Sequence, residues 1–567
     1  MAKISAGRAV VEVLKAEGVK FVFGMPGGHT IGIYDALFGS PAIMHVLVRH
    51  EQHAASMAAG YAQLTGEPGV CCTTAGPGAT NLVSSIAEAF VGALPIVIIA
   101  GRGATRNAYR GASQEIDQVR IFGPITKWAI RVDRPDLIVE SLRQAFTIAR
   151  SGKPGPVLVD IPQDVLASQI EFENYRPVGK PAPGRGNLVQ IKAAAAALAA
   201  AKKPLIVSGG GAIAADASAE VKQLAETLAI PVITTLAGRG ILSDDHELAA
   251  GGLGHHRQAI TKALLIHADV VIGIGARFEQ QETNWKPDYL PAVDATYIQI
   301  DIDPAEISKS ALANIGIVGD AKLILQEMLQ ELESTGVAEH ATSDQARERV
   351  ADLQRAREAL EAETEAMAAS ESRPLHPVRV IRGIRKAFPR NTTIAIDVGV
   401  LAQAMGGAFP YFKIYEPRAT IVPSSFYGMG FSASAFPVAR LVYPDRSAVC
   451  MVGDGSFQLV MNILPLAAEL KLGLTWCVLN DQALGSIRDI QTQIYEERYI
   501  GTEFHIDVEF AKVAQASRCY GERVTEPSEI EPALKRAQKA NEAGIPAVLD
   551  FVVAKERLLA SMEFFQR

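Results

Sequence analysis

Short apolar runs alternate with Ala- and Gly-rich helical patterns along nearly the whole chain, and no other feature limits the fold as much. Near the start, FVFG, MHVLV, VCCTTA and PIVIIAG are runs of β-branched and other apolar residues. EQHAASMAAGYAQL and NLVSSIAEAFVGA lie between them and read as helices. A strand that is apolar along its length, rather than at every second residue, is covered on both faces. Helices between such strands imply an α/β fold with parallel sheets.

Two stretches interrupt the alternation. NYRPVGKPAPGRG (174–186) is rich in Pro, Gly and Arg and reads as a linker. The segment 343–377 is highly charged; its middle reads as a solvated helix that Pro374 and Pro377 end. The breaks leave three consecutive α/β domains, at 1–170, 187–335 and 375–555, and 567 residues suffice for three separate cores. With 48% hydrophobic and 21% charged residues the chain is a folded protein. A net charge of -7 without a basic run gives no expectation of nucleic-acid binding. Cys71, Cys72, Cys450, Cys477 and Cys519 form no CxxC pair and read as reduced core thiols of a cytoplasmic protein. MAKISAGRAVVEVLKAEGV lacks a long apolar stretch, and no window reaches the length of a membrane span, so neither secretion nor membrane insertion is expected.

The stretch GDGSFQLVMNILPLAAELKLGLTWCVLND (453–481) raises a chemical question. AVCM reads as a strand, GDG as a tight turn, SFQLVMNILPLAAEL as one helix, and LTWCVL as a returning strand that ends at Asn480 and Asp481. Both acids then stand at the carboxyl ends of parallel strands, where open α/β sheets bind ligands. Ser456 and the amides after it open a helix, which favours a phosphate. Phosphate beside carboxylates needs a cation, and magnesium takes hard oxygens from few side chains plus phosphate. The plainer alternative is an acidic turn and an unrelated Asp-containing loop.

That GDG turn and the Asn/Asp pair one βαβ unit later resemble the signature of thiamine-diphosphate (ThDP) enzymes, specifically the acetolactate-synthase-like branch, and the similarity runs over essentially the whole chain. The resemblance implies three domains: pyrimidine-binding, central Rossmann-like, and diphosphate-binding. It implies Mg²⁺ ligands from Asp454, Asp481 and the Ala483 carbonyl. Gly455, Ser456, Leu484 and Gly485, with Gly399, Val400 and Leu401 after the strand in IAIDVGVLAQ, would then meet the cofactor. Relatives usually carry Asn where Asp481 stands. In VLVRHEQHAASMAAGYAQ, Glu51 matches the carboxyl group that activates the cofactor through its pyrimidine ring; the alternative is a first-turn acid complementing the helix dipole. SSFYGMGFSAS resembles the segment in which Tyr427 would offer its carbonyl to the cofactor's amino group and Met429 would wedge its two rings apart. AGPGAT (75–80) is a glycine-rich turn that lies near the cofactor in relatives.

GMPGGHTIGIYDAL resembles the loop that faces the reacting centre, with His29 in place of a small apolar residue. His29 would move a proton near neutral pH, or serve as a hydrogen-bonded structural residue of the loop. Gln114 in GASQEIDQ matches a glutamine that contacts the reaction intermediate. In the middle block, SGGGAIAA, GIGARFEQQ and IQIDIDPAEI resemble a FAD-binding domain, with Arg277 and Asp301 or Asp303 near the nucleotide; ADP, CoA or nothing are the alternatives. Gln281 stands where acetolactate synthases carry an Arg, and Arg488 is the candidate for a replacement charge. The implied activity is decarboxylation of a 2-keto acid and carboligation to a second carbonyl. The alternative is a ThDP-dependent lyase of 2-hydroxy ketones or 2-hydroxyacyl-CoA. The implied partners are a small keto acid, aldehyde or acyl-CoA, and a second copy, since relatives build active sites between subunits of a homodimer or homotetramer.

Overall fold

The computed structural model describes residues 2–177, 179–254, 259–334, 343–399, 401 and 409–555. Each expected block contributes a six-stranded sheet in which every neighbouring pair is parallel. In the first, strands lie side by side in the order Met44–Leu47, Phe21–Gly24, Gly69–Thr73, Ile96–Arg102, Pro156–Pro162, Trp128–Arg131. In the third the order is Thr420–Ile421, Thr393–Ile396, Ala448–Gly453, Thr475–Asn480, Ala547–Val552, Tyr520–Val524. Counted along each block, both orders are 2-1-3-4-6-5, so the outer blocks share one topology. The middle sheet runs Ala249–Gly252, Val232–Thr234, Pro204–Ser208, Val270–Ile274, Thr296–Asp301, Ile315–Val318, the 3-2-1-4-5-6 order of dinucleotide-binding folds.

Chain contacts divide the molecule into two compact units. One holds Met1–Ala182 together with Phe426–Pro444 and Val460–Leu472; the other holds Pro183–Ser425, Asp445–Leu459 and Gly473–Arg567. In the first unit, Ala2–Ser5 pairs antiparallel with Gln169–Phe172 and closes the block before the linker. Glu51–Thr65 forms a helix because His50 caps its start by accepting from the Gln52 amide, and Gly66, at φ 76°, ends it in the left-handed region. Gly60 lets this helix approach closely: a Cβ there would lie 3.0 Å from the Ala435 side chain. The small residues legible in sequence therefore serve a contact with the stretch 431–435.

In the second unit, Asp344–Ala368 is the expected charged helix, started by Ser343. It is not purely solvated. Arg349 donates to the carbonyls of Leu228 and Ala229, the last of another helix, and Arg357 to those of Asp244 and Ala249. Pro377 begins the next helix rather than ending this one. The single helix expected over 456–470 is divided: Asp454–Val460 is helical, Met461–Ile463 forms a 3₁₀ turn, and Leu464–Glu469 is helical again. Pro465 supplies no amide to continue the helical hydrogen bonds, so the second helix starts afresh around it. All five cysteines are free and buried, as expected. Among the described residues no helix is long and apolar enough to cross a membrane.

Candidate active site

Asp454 and Asp481 come together. Ala448–Gly453 and Thr475–Asn480 pair in parallel, with Gly453 opposite Leu479, so Asp454 and Asp481 leave the sheet at the same end. Asp454 is 2% exposed and Asp481 7%. Burial pushes both carboxyls above the ordinary range, and the charge of Asp481, hydrogen-bonded to Asp454, raises Asp454 further. Asp454 Oδ1 is buried without a hydrogen-bond partner. Two buried carboxylates side by side require a proton or a cation. Among the described residues no cluster of three metal-binding side chains exists, so a cation here would complete its shell with backbone and ligand oxygens. These donors fit magnesium beside a diphosphate.

The turns around this pair are set by glycine and amide contacts. Gly455 lies against Leu484: a Cβ at 455 would be 2.9 Å from its side chain. Ala483 is buried and bridges Glu503, and Gly485 opens the helix Gly485–Ile494. Ser456 donates to the Val398 carbonyl at 3.2 Å, which brings the loop after Thr393–Ile396 to the same place. In that loop Gly399 has φ 133°, and Leu401 is buried; Val400 lies outside the described residues. Asn480 is turned away from the pair, donating to the buried Asp550 at 3.0 Å.

The first unit assembles a second set. Glu51, 8% exposed, begins its helix and accepts from Asn81 Nδ2 at 2.8 Å. Gly78 of the AGPGAT turn must be small: a Cβ would meet Thr73 Oγ1 at 2.5 Å and Glu51 Oε1 at 3.3 Å. The turn is pinned by the buried Gln118, which accepts from the Gly76 amide at 2.8 Å and donates to Asp160 at 2.8 Å. His29 and Gln114 meet at Thr74. The Thr74 hydroxyl donates to Gln114 Oε1 at 3.4 Å and lies 3.1 Å from His29 Nδ1. That hydroxyl then accepts from Nδ1–H, which leaves Nε2 as the basic nitrogen of the ring. Burial holds the His29 pKa below its usual value, against a raising contact from Gln114, so the ring is neutral at pH 7. His29 and Thr74 follow adjacent strands at the point where the strand order reverses, the ligand-binding position of such sheets.

Tyr427 adopts φ 58°, and Met429 is half-buried beside it. Arg488 does not supply an unpaired charge: its Nε donates to Glu503 at 2.7 Å and its guanidinium stacks 4.4 Å from the centre of the Tyr499 ring. In the middle block, Gly209 and Gly211 pack on Gly275, where Cβ atoms would come within 2.1 Å and 2.8 Å of its backbone. Loop-on-loop packing is a sufficient reason for those glycines. Arg277 pairs with Glu279 at 3.2 Å, and Asp301 accepts from the Asp303 amide. Residue reasoning had not singled out Thr74, Asn81 or Gln118. Each lay inside or beside a quoted motif, but nothing local marked its partner.

A parallel α/β protein with paired acids at the carboxyl ends of two central strands, and a capped glutamate at a second sheet of identical order, has the architecture of a thiamine-diphosphate enzyme. Comparison with known families agrees. Residues 4–121 match the thiamine pyrophosphate enzyme N-terminal TPP binding domain, 191–328 the central domain, and 401–551 the C-terminal TPP binding domain. The chain is 35% identical over 562 residues to a probable acetolactate synthase large subunit of Methanocaldococcus jannaschii, covering 97% of this chain and 92% of that one. It is 36% identical over 549 residues to the acetolactate synthase isozyme 3 large subunit of Escherichia coli K12, covering 95% and 92%. The acetolactate synthase large subunit of Corynebacterium glutamicum is 35% identical over 588 residues, with 98% and 87% covered. The chain therefore belongs to the acetolactate-synthase-like family of thiamine-diphosphate-dependent enzymes, whose chemistry is carboligation.

Proposed function

We propose that this protein decarboxylates a 2-keto acid and joins the remaining fragment to a second carbonyl compound, a keto acid or an aldehyde, using Mg²⁺ and ThDP. The observation that carries the metal is Asp454 Oδ1, buried and unpartnered beside Asp481. Asp454, Asp481 and the Ala483 carbonyl hold the ion. Gly399, Leu401, Gly455, Ser456, Leu484 and Gly485 enclose the diphosphate. Bound there, ThDP supplies an electron sink for the charge left by a departing carboxylate. Glu51, steadied by Asn81, holds a proton toward the pyrimidine ring. The Tyr427 carbonyl accepts from the amino group, and Met429 fills the space between the two rings. His29 Nε2 takes or returns the proton of the substrate oxygen, with Gln114 beside it.

On this reading segments 1–170, 187–335 and 375–555 are the domains. Two copies complete each site, Glu51 coming from one and Asp454 from the other, in a homodimer or homotetramer of the cytoplasm. The middle block takes FAD, or ADP or CoA in its place; a visible spectrum of the purified protein tells which. With Gln281 replacing the family's Arg and Arg488 engaged by Glu503, recognition of an acceptor carboxylate differs from that in acetolactate synthases. The His29–Thr74–Gln114 group supports a second reading, a lyase of 2-hydroxy ketones or 2-hydroxyacyl-CoA.

One experiment separates these. Pyruvate, glyoxylate, benzoylformate and 2-hydroxyacyl-CoAs are supplied with ThDP and Mg²⁺, and products are read by mass spectrometry. CO₂ with a carboligated product supports the first reading; formyl-CoA supports the second. Calorimetry showing no ThDP uptake with metal present defeats both.

A further inference from the structure

Glu88 is a buried acid to which no motif and no step above gives a role. It lies on the helix Val83–Val91, 1% exposed. Carboxylates are seldom buried this far unless something holds them there. Its Oε2 accepts from the Gly428 amide at 2.8 Å, and a Cβ at residue 428 would stand only 3.1 Å from that same oxygen. Acid and glycine are fitted to one another. Two further bonds fix the base from which Glu88 reaches. Ser85, one turn earlier, is 2.9 Å from Ser56 Oγ, and Asn81 donates to Glu51.

The Gly428 N–H belongs to the same peptide unit as the Tyr427 carbonyl. That unit is trans, the only cis bonds being the two X-Pro bonds at 373–374 and 409–410 among the described residues. In a planar trans peptide the N–H and the C=O point in opposite directions. Holding the N–H on Glu88 therefore turns the carbonyl away from it. A carboxylate makes a stronger, charge-assisted bond to an amide than a neutral acceptor does, and hydrogen bonds in series polarise one another. The carbonyl at the far end becomes a better acceptor. Tyr427 needs such an external hold, because a non-glycine residue at φ 58° sits in a sparsely populated region.

We propose that Glu88 is a positioning residue that aims and polarises the Tyr427 carbonyl through the Gly428 amide, and so sets how strongly the protein grips the amino group of the cofactor's pyrimidine. This rests on the thiamine-diphosphate reading. The test compares calorimetric affinities, with Mg²⁺ present, for ThDP and for 4′-deamino-ThDP, in the full-length protein and in Glu88→Gln. Wild type should prefer ThDP. Glu88→Gln, which keeps the shape and replaces the acid, should shrink that preference roughly five- to tenfold by weakening ThDP and sparing the analogue. Glu88→Asp, whose acid falls one methylene short of the amide, should lose at least as much, and it serves if the glutamine variant does not fold. An unchanged preference, or equal weakening of both ligands, overturns the proposal, since equal weakening means that Glu88 only supports packing. Wild-type uptake of neither ligand overturns the cofactor reading and this inference with it.

Discussion

Acid should loosen the helix that begins at Glu51, and His53 sets by how much. Its ring is 1% exposed; Nδ1 is 2.6 Å from Ser434 Oγ and Nε2 is 2.9 Å from Asn462 Oδ1. The Asn462 oxygen can only accept, so Nε2 carries the proton and Nδ1 receives the Ser434 hydroxyl. Burial lowers the pKa from 6.5 to about 4, opposed by the Asn462 contact and aided by the nearby His50. The folded ring resists a proton that the unfolded ring takes up below pH 6.5. Its contribution is therefore present above that pH and is lost as pH falls toward 4. Two and a half pH units correspond to about 3 kcal/mol in full, of which about 2 kcal/mol disappears between pH 7 and pH 5. Asp160 and Asp550, raised to about 6 by burial, act in the opposite sense, so the comparison must be a difference. Hydrogen exchange of the amides in Glu51–Thr65 gives the local opening free energy without assuming that a protein of several domains unfolds in one step. Wild type should lose about 2 kcal/mol more than His53→Gln over that pH interval. Equal losses would refute the claim that the fold keeps His53 neutral.

Replacing Glu51 by Gln should leave circular dichroism and ThDP affinity nearly unchanged and lower turnover by roughly 10²-fold or more, as for other lost acid–base groups; unaltered steady-state rates would remove its assigned role. Asp454→Asn should abolish metal-dependent ThDP uptake in calorimetry, whereas Asp481→Asn should retain it and, by removing like-charge repulsion, raise the melting temperature of the metal-free protein. A metal-free Asp481→Asn protein that melts no higher than wild type would show that the pair is not strained. His29→Ala should change the product distribution more than the ThDP Kd; a change confined to Kd would make His29 structural.

Much of the candidate site was legible because it is local. The acids at 454 and 481 end strands whose apolar runs announce them, and the unit between them is short. Glu51 stands at a junction marked by a polar cap and a small-residue helix. The broken helix over 456–470 carried its signal in Pro465, and periodicity alone overlooked it. Arg488 reads in sequence as a replacement positive charge, yet Glu503, fifteen residues on, pairs with it. No spacing rule connects two such side chains across a turn. Val400 was also named, and it falls outside the described residues.

The order of residues, by itself, determined three buried parallel sheets and placed two carboxylates at the carboxyl ends of neighbouring strands, since burial pattern and strand direction follow from composition along the chain. Only the tertiary structure decided which side chains meet. Ser434 and Asn462 hold His53, Gly428 meets Glu88, and Thr74 joins His29 to Gln114. The partners of His53 and Glu88 lie hundreds of positions away. Such pairs are selected by the packing of helices and loops against one another, a three-dimensional fit that leaves no periodic trace in the sequence.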